Sequence, residues 1–140
     1  AQLQIVGGGD GQAFGGKEVL LGENDTTVLI VGLAADESCY VKMTINGNWD
    51  NHSGIMFMGE YFISNGGTDG YSEPGQIIRQ VENTGGNNAN RQGDTIRTKL
   101  EKIGNYIHIK ASLVEGTSGD LELATAKLNF HIMGEFDSIS

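Results

Sequence analysis

The sequence has very little cysteine and twice as many acidic as basic side chains. Cys39 is the one cysteine, so no disulfide can form within the chain and a disulfide-stabilised fold is excluded. It heads an alternating apolar run, which predicts an inert strand residue rather than a reactive thiol. Nine Lys and Arg against eighteen Asp and Glu leave a net charge of −9, which disfavours nucleic acid and anionic lipid as partners.

Long apolar segments and enzyme motifs are also missing. No stretch approaches the roughly 20 apolar residues that span a bilayer, so we expect no membrane insertion. The chain has no zinc-protease, nucleophile-elbow, Walker or paired-cysteine motif, and the glycines of residues 7–11 lack the spacing of a dinucleotide-binding fingerprint. We therefore predict a protein that is not an enzyme and needs no cofactor.

Glycine and short alternating apolar runs are what the sequence does contain. The chain has twenty-two glycines and a single proline, which favours glycines in turns between ordered strands over a disordered linker. Residues 1–16 hold a short strand and a flexible glycine-rich stretch, which we interpret as a connector, and residues 17–140 form the main domain. The strand spacing indicates an all-β fold, an antiparallel β-sandwich or jelly roll. The predicted strands are 17–21, 27–33, 39–46, 54–63, 76–82, 94–101, 105–114 and 121–133.

Two of these strands contain runs, 28–31 and 55–58, that are apolar on both faces. The outer face of a small sandwich is normally solvated, so we expect a partner subunit to cover these runs. A central strand beneath a long loop is the alternative. Residues 94–103 also fit an amphipathic helix, but their β-branched side chains favour a strand.

Three segments, 46–53, 64–75 and 83–94, are rich in Gly, Asn and Asp and contain an occasional Trp, Tyr or Arg. A neutral sugar presents hydroxyls, which pair with amides and carboxylates, and C–H faces, which stack on aromatic rings. We therefore predict that these loops form a ligand-binding rim. Turn geometry is the alternative explanation for most of the Gly and Asn residues, and Trp49 fits a lid over the core equally well. The candidate ligand-binding residues are Trp49, Asp50, Asn51, His52, Asp69, Tyr71, Asn88 and Arg91.

Two further patterns concern metal binding and hydrolysis. His108 and His131 are both predicted to face outward, and pairing across adjacent strands would make half of a metal site. Asp50, Asp69 and Glu73 are acids that could pair for glycoside hydrolysis, although loop acids more often bond their own turns.

Three segments resemble the C-terminal receptor-binding regions of tailed-bacteriophage tail fibres: NWDNHSGIMF (48–57), GEYF (59–62) and YIHIK (106–110). Among such fibres, the sequence most resembles the L-shaped tail fibre of a T5-like phage. The resemblance covers residues 40–140 without a diagnostic motif. It implies a homotrimer at a tail-fibre tip of the virion that binds host cell-surface polysaccharide such as O-antigen. Several such fibres lose a C-terminal chaperone by self-cleavage after a serine, so Ser140 would match a mature C-terminus.

Two other functions fit the same residues. A trimeric jelly-roll ligand of the cytokine or complement type shares the composition, and Asn24 and Asn51 would be glycosylation acceptors in a secreted eukaryotic chain. A polysaccharide depolymerase whose acids meet across a subunit boundary is the second. Our prediction from the sequence is non-enzymatic binding of a neutral or weakly charged glycan, made avid by three linked sites.

Overall fold

The computed structural model describes residues 4–9, 11–49, 52–66, 75–83, 95–114 and 124–140, and the side-chain surroundings of residues 11–46, 57–66, 96–113 and 125–140. Ten strands are present in this part of the chain. They are β1 Gln4–Gly9, β2 Gln12–Leu21, β3 Thr26–Gly32, β4 Ser38–Trp49, β5 His52–Ser64, β6 Gly75–Asn83, β7 Thr95–Ile103, β8 Tyr106–Val114, β9 Ala124–Gly134 and β10 Ser138–Ile139.

The strands form two sheets that face each other. The six-stranded sheet has the order β1-β2-β9-β4-β5-β6, and the four-stranded sheet has the order β10-β3-β8-β7. All pairings are antiparallel. The prediction of an all-β antiparallel sandwich is confirmed, and each of the eight predicted strands overlaps an observed one. Residues 95–103 pair with β8 along their whole length, so the helical alternative there is wrong.

Alternation of apolar and polar side chains builds the core between the sheets. In β9, Leu128 and Ile132 are fully buried, whereas the intervening Asn129 is exposed, as the sequence pattern predicts. Each such buried aliphatic side chain contributes about 1.5–3 kcal/mol through the hydrophobic effect. The largest fully buried side chains are Tyr61, Phe57, Leu21, Leu29, Leu33, Met43, Ile45, Ile63, Ile107, Ile109 and Leu128.

A β-bulge in β3 explains the first of the two doubly apolar runs. The pairing of β3 with β8 shifts between Thr27 and Leu29, so Val28 is an extra residue on the bulged strand. Val28 and Leu29 are both fully buried in the core as a result. This run therefore needs no partner subunit to cover it, and one of the two arguments for oligomerisation is lost. In the second run Phe57 is fully buried and Met58 is half-buried.

The glycine-rich stretch before residue 17 lies largely in strands at the positions that the structure describes. β1 pairs with β2, and residues 12–16 pair with β9 in the middle of the six-stranded sheet. Residue 16 thus lies inside a strand, while the division of the chain at that point stays a prediction. At the other end, Ser140 exchanges two backbone hydrogen bonds with Ile30, of 2.8 and 2.9 Å.

Asn65, just after β5, ties together three chain segments at one end of the sandwich. Its side-chain amide donates hydrogen bonds to the Leu33 carbonyl (2.9 Å) and to Asn105 Oδ1 (3.0 Å). Its backbone pairs with the turn before β4, accepting from the Asp36 amide (2.6 Å) and donating to the Glu37 carbonyl (3.0 Å). Asn65 is buried, so these bonds are shielded from water and fix the base of the segment between β5 and β6.

Candidate functional site

The first of the predicted loops, residues 46–53, is largely a β-hairpin. β4 continues to Trp49, β5 begins at His52, and these two residues are cross-strand partners. The prediction of a loop at 46–53 is therefore wrong except for Asp50 and Asn51, which lie outside the described residues. The pairing of the two strands shifts in register between Gly47 and Trp49. Glycine is common at such irregularities in a strand.

The three predicted loops do not start from the same end of the six-stranded sheet. The last residue of β6, Asn83, pairs with Met56 near the start of β5, whereas the first, Gly75, pairs with Ile63 near its end. At ~3.3 Å per residue, these two points on β5 are roughly 23 Å apart. The 46–53 and 83–94 segments thus begin at one end of the sheet and the 64–75 segment at the other, so the three segments do not begin at one common rim.

Most of the predicted ligand-binding residues lie outside the described part of the chain. Asp69 and Tyr71 belong to the connection between β5 and β6, and Asn88 and Arg91 to the connection between β6 and β7. Their function in ligand binding stays a prediction. The backbone of Trp49 and of His52 is described, and it places this pair at the tip of the β4–β5 hairpin.

The described residues contain a different candidate site, on the outer surface of the six-stranded sheet. Five large side chains from four consecutive strands meet there, and we call this surface the aromatic face. Phe62 is 55% exposed, Phe14 42% and Met133 40%, which is unusual for apolar side chains gathered in one place. The aromatic face consists of Phe14, Tyr40, Phe62, His131 and Met133.

Strand register brings these side chains together. Tyr40 is the cross-strand partner of Met133 on one side and of Phe62 on the other, so the three form a row across β9, β4 and β5. Phe14 and His131 are partners in the next row. Because neighbouring strands lie ~4.8 Å apart, the four adjacent strands β2, β9, β4 and β5 make a strip about 14 Å wide.

The rings are held in fixed relative positions. Phe14 and His131 stack with ring centroids 4.0 Å apart and an interplanar angle of 18°. The Nε2 atom of His131 lies 3.3 Å from Gln12 Oε1, which restrains the imidazole further. Tyr40 and Phe62 pack edge to face with centroids 5.9 Å apart. Such pairs prefer these geometries, so the rings present preorganised apolar surfaces to solvent.

A carboxylate lies beside the rings. The Tyr40 hydroxyl donates a hydrogen bond of 2.8 Å to Glu60 Oε2. Partial desolvation and this bond to the carboxylate raise the pKa of Tyr40 above its usual value, so the phenol stays a donor at neutral pH. The aromatic face thus combines ring surfaces with a hydroxyl and a carboxylate that can pair with ligand hydroxyls.

Reasoning from the sequence missed this surface, although part of the signal was there. Tyr40 lies between buried Cys39 and Val41, and Phe62 between buried Tyr61 and Ile63, so alternation directs both rings outward. What one sequence does not encode is that the strands carrying them are neighbours.

The two histidines proposed for a metal site lie on different sheets. His108 is in β8 of the four-stranded sheet and His131 in β9 of the six-stranded sheet, so their outward sides are on opposite surfaces of the sandwich. The paired-histidine prediction is wrong for this reason. Within the described ranges, no three His, Cys, Asp or Glu side chains are grouped as a metal site would require. Those ranges also contain no helix able to cross a membrane.

Cys39 behaves as the sequence predicts. It is buried in β4 and is a free thiol. Burial raises the pKa of this thiol to about 12, so almost no thiolate is present at neutral pH. Because the thiolate is the reactive form, Cys39 is inert.

A segment of one solved phage tailspike protein shares this fold. The tailspike protein of Acinetobacter baumannii phage AM24 matches with a TM-score of 0.50 and 11% identity, over 91% of this chain and 27% of that one. Tailspike protein gp49 of Acinetobacter baumannii bacteriophage Fri1, a capsular polysaccharide depolymerase, matches with a TM-score of 0.35 and 12% identity, over 95% and 21%. This chain spans about a quarter of the AM24 tailspike. No protein-family model and no curated protein matches the chain.

The prediction that this protein is not an enzyme has to be corrected. It was based on missing motifs, and the Fri1 tailspike protein is described as a capsular polysaccharide depolymerase. Glycoside cleavage depends on acids brought together by folding, which leaves no short motif in a sequence. The absence of motifs is therefore no argument against polysaccharide cleavage.

Proposed function

We propose that this chain is a polysaccharide-binding domain of a phage tail protein and that the aromatic face is its binding surface. The observation that carries the proposal is the register-aligned group of exposed rings beside Glu60. Sugar rings stack their C–H faces on aromatic side chains while their hydroxyls pair with polar groups nearby. The fold shared with a segment of a phage tailspike supports the same assignment.

The finer parts of the proposal come from the resemblance to tail fibres. The protein would be a homotrimer at the tip of a T5-like tail fibre and bind O-antigen-like glycan on the host surface. Three linked sites would raise the overall affinity by orders of magnitude over one weak site. Trp49 and His52 at the hairpin tip would form a second contact, joined by Arg91 and Asn88 from the segment after β6.

Binding to bacterial surface polysaccharides tests the proposal directly. A panel of purified capsular and O-antigen polysaccharides is titrated into the wild-type protein by calorimetry. Phe62→Ala should weaken binding about tenfold, because a lost stacking ring removes roughly 1–1.5 kcal/mol. Tyr106→Ala is the matched control, since Tyr106 is 52% exposed on the outer surface of the other sheet. Equal losses in both variants would contradict the assignment of the site.

Cleavage of the bound polysaccharide is a second candidate function, and the position of Glu60 on the aromatic face favours it. Hydrolysis requires a second carboxyl group about 5–9.5 Å from the first. Incubation with polysaccharide followed by size-exclusion chromatography measures polymer length. If the wild type shortens the polymer and Glu60→Gln does not, cleavage takes place at this surface. If the wild type binds the polymer but leaves its length unchanged, binding is the function.

A further inference from the structure

Lys42 occupies the middle of the aromatic face. It lies on β4, with His131 of β9 as its cross-strand partner on one side and Glu60 of β5 on the other. Its side chain is exposed. Lys42 thus lies next to His131 of the Phe14–His131 stack and two residues from Tyr40 of the Tyr40–Phe62 pair.

The Lys42 ammonium has no carboxylate partner among the residues whose side chains are described. The ion pairs found there are Lys99 with Asp25 and Lys110 with Glu101, and both lysines are on the other sheet. Glu60 faces Lys42 in the register but accepts the Tyr40 hydroxyl instead. An unpaired cation flanked by stacking rings can bind a negative group on a ligand whose sugar rings lie on those aromatic side chains.

The net charge of −9 does not prevent this. At physiological ionic strength the Debye length is about 8 Å, so exposed acids elsewhere on the surface are largely screened at Lys42. An ammonium group in direct contact with a ligand carboxylate is affected much less by such screening. The net charge is therefore no argument against an anionic ligand at Lys42.

We propose that Lys42 is a specificity-determining residue that makes the aromatic face prefer polysaccharides with carboxylate-bearing sugar units. The proposal rests on the polysaccharide-binding function proposed above and revises the expectation of a neutral glycan. Stacking on the rings supplies affinity for sugars in general, and Lys42 adds discrimination. An exposed ion pair contributes up to about 1 kcal/mol, which corresponds to a preference of about fivefold.

The test compares acidic bacterial polysaccharides with their carboxyl-reduced forms, which have the same linkages but no charge. Wild-type protein, Lys42→Gln and Lys127→Gln are titrated with both forms. Lys127 is the matched control because it is exposed on the same surface, on β9, opposite Asn46 rather than beside the rings. Polysaccharides acidic only through phosphate form a further arm that separates carboxylate recognition from anion binding in general.

We expect the wild type and Lys127→Gln to bind the acidic form about fivefold more tightly than the reduced form, and Lys42→Gln to bind both equally. The inference is overturned if Lys42→Gln still prefers the acidic form, or if the wild type binds both forms equally. In either case the proposed binding function stands. Equal binding of phosphate-bearing and carboxylate-bearing polymers overturns the carboxylate specificity. Failure of the wild type to bind any polymer overturns the proposed function and this inference with it.

Discussion

The hydroxyl groups of Tyr61 and Thr98 lie 2.8 Å apart and form a hydrogen bond that joins the two sheets inside the core. Tyr61 belongs to β5 of the six-stranded sheet and Thr98 to β7 of the four-stranded sheet. Both side chains are buried, so the bond is made away from water. The position of β5, which carries Phe62 and Glu60 on its opposite side, is thereby fixed relative to the second sheet.

Replacing Tyr61 with Phe should lower the free energy of unfolding by about 1 kcal/mol, the usual net contribution of one hydrogen bond. The ring and its packing remain, so the fold should be retained. Urea unfolding followed by fluorescence measures the change. Tyr106→Phe, which removes an exposed hydroxyl, should leave the midpoint unchanged, and an equal loss in the two variants would contradict the argument.

The ionisation of Tyr61 should destabilise the folded protein at alkaline pH. Burial is the main reason that the pKa of Tyr61 rises from 10.0 to about 12, against a smaller opposite effect of the Thr98 bond. The folded state holds this proton more tightly than the unfolded state, so the stabilisation is complete below pH 10 and is lost as the pH rises towards 12. The slope of unfolding free energy against pH in that window should be shallower for Tyr61→Phe than for the wild type.

Cys39 makes a similar contribution and has to be separated from that of Tyr61. Its pKa is raised from 9.0 to about 12, so its stabilisation begins to be lost at a lower pH. Cys39→Ala should therefore flatten the profile from pH 9 upwards, whereas Tyr61→Phe acts only above pH 10. Identical profiles for the wild type and both variants would show that neither group stays protonated in the folded protein.

Much of this fold follows from local patterns in the sequence, but the site does not. Alternation is sufficient to predict β8 and β9 and which of their residues are buried, because side chains in a strand point alternately to opposite faces. The bulge at Val28 interrupts that alternation, and its position depends on how β3 pairs with β8. The aromatic face requires β2, β9, β4 and β5 to be neighbours, although Phe14 and Phe62 are far apart in the chain. Such long-range pairing leaves no periodic signal.

Gly59 is predicted to be intolerant of any side chain. It lies two residues before Tyr61 on the same buried side of β5, and a Cβ atom there would lie only 2.6 Å from Tyr61 Cζ. Gly59→Ala should therefore displace the ring, break its bond to Thr98 and cost roughly 3 kcal/mol, at the upper end of what overpacking costs in a core. Thermal unfolding measures the loss.

Gly104→Ala provides the comparison. Gly104 has a φ of +61° and open space where an added Cβ atom would lie, so alanine there should cost only about 1–2 kcal/mol through backbone strain. A smaller loss for Gly59→Ala than for Gly104→Ala would mean that the Tyr61 ring moves without cost. That result would also remove the reason for expecting a fixed position of β5.

The oligomeric state tests whether the aromatic face is a ligand site or a subunit interface. Light scattering at micromolar concentration should give about 45 kDa for the proposed trimer, three times the 14.9 kDa of one chain. If the face binds ligand, Phe62→Ala and Phe14→Ala should keep that mass while weakening polysaccharide binding. A mass of one chain for the wild type would contradict the trimer. If the two variants dissociate, the subunits pack through these rings instead. An apolar surface that a second copy covers stabilises the assembly in proportion to the area buried, so removing the rings would weaken it.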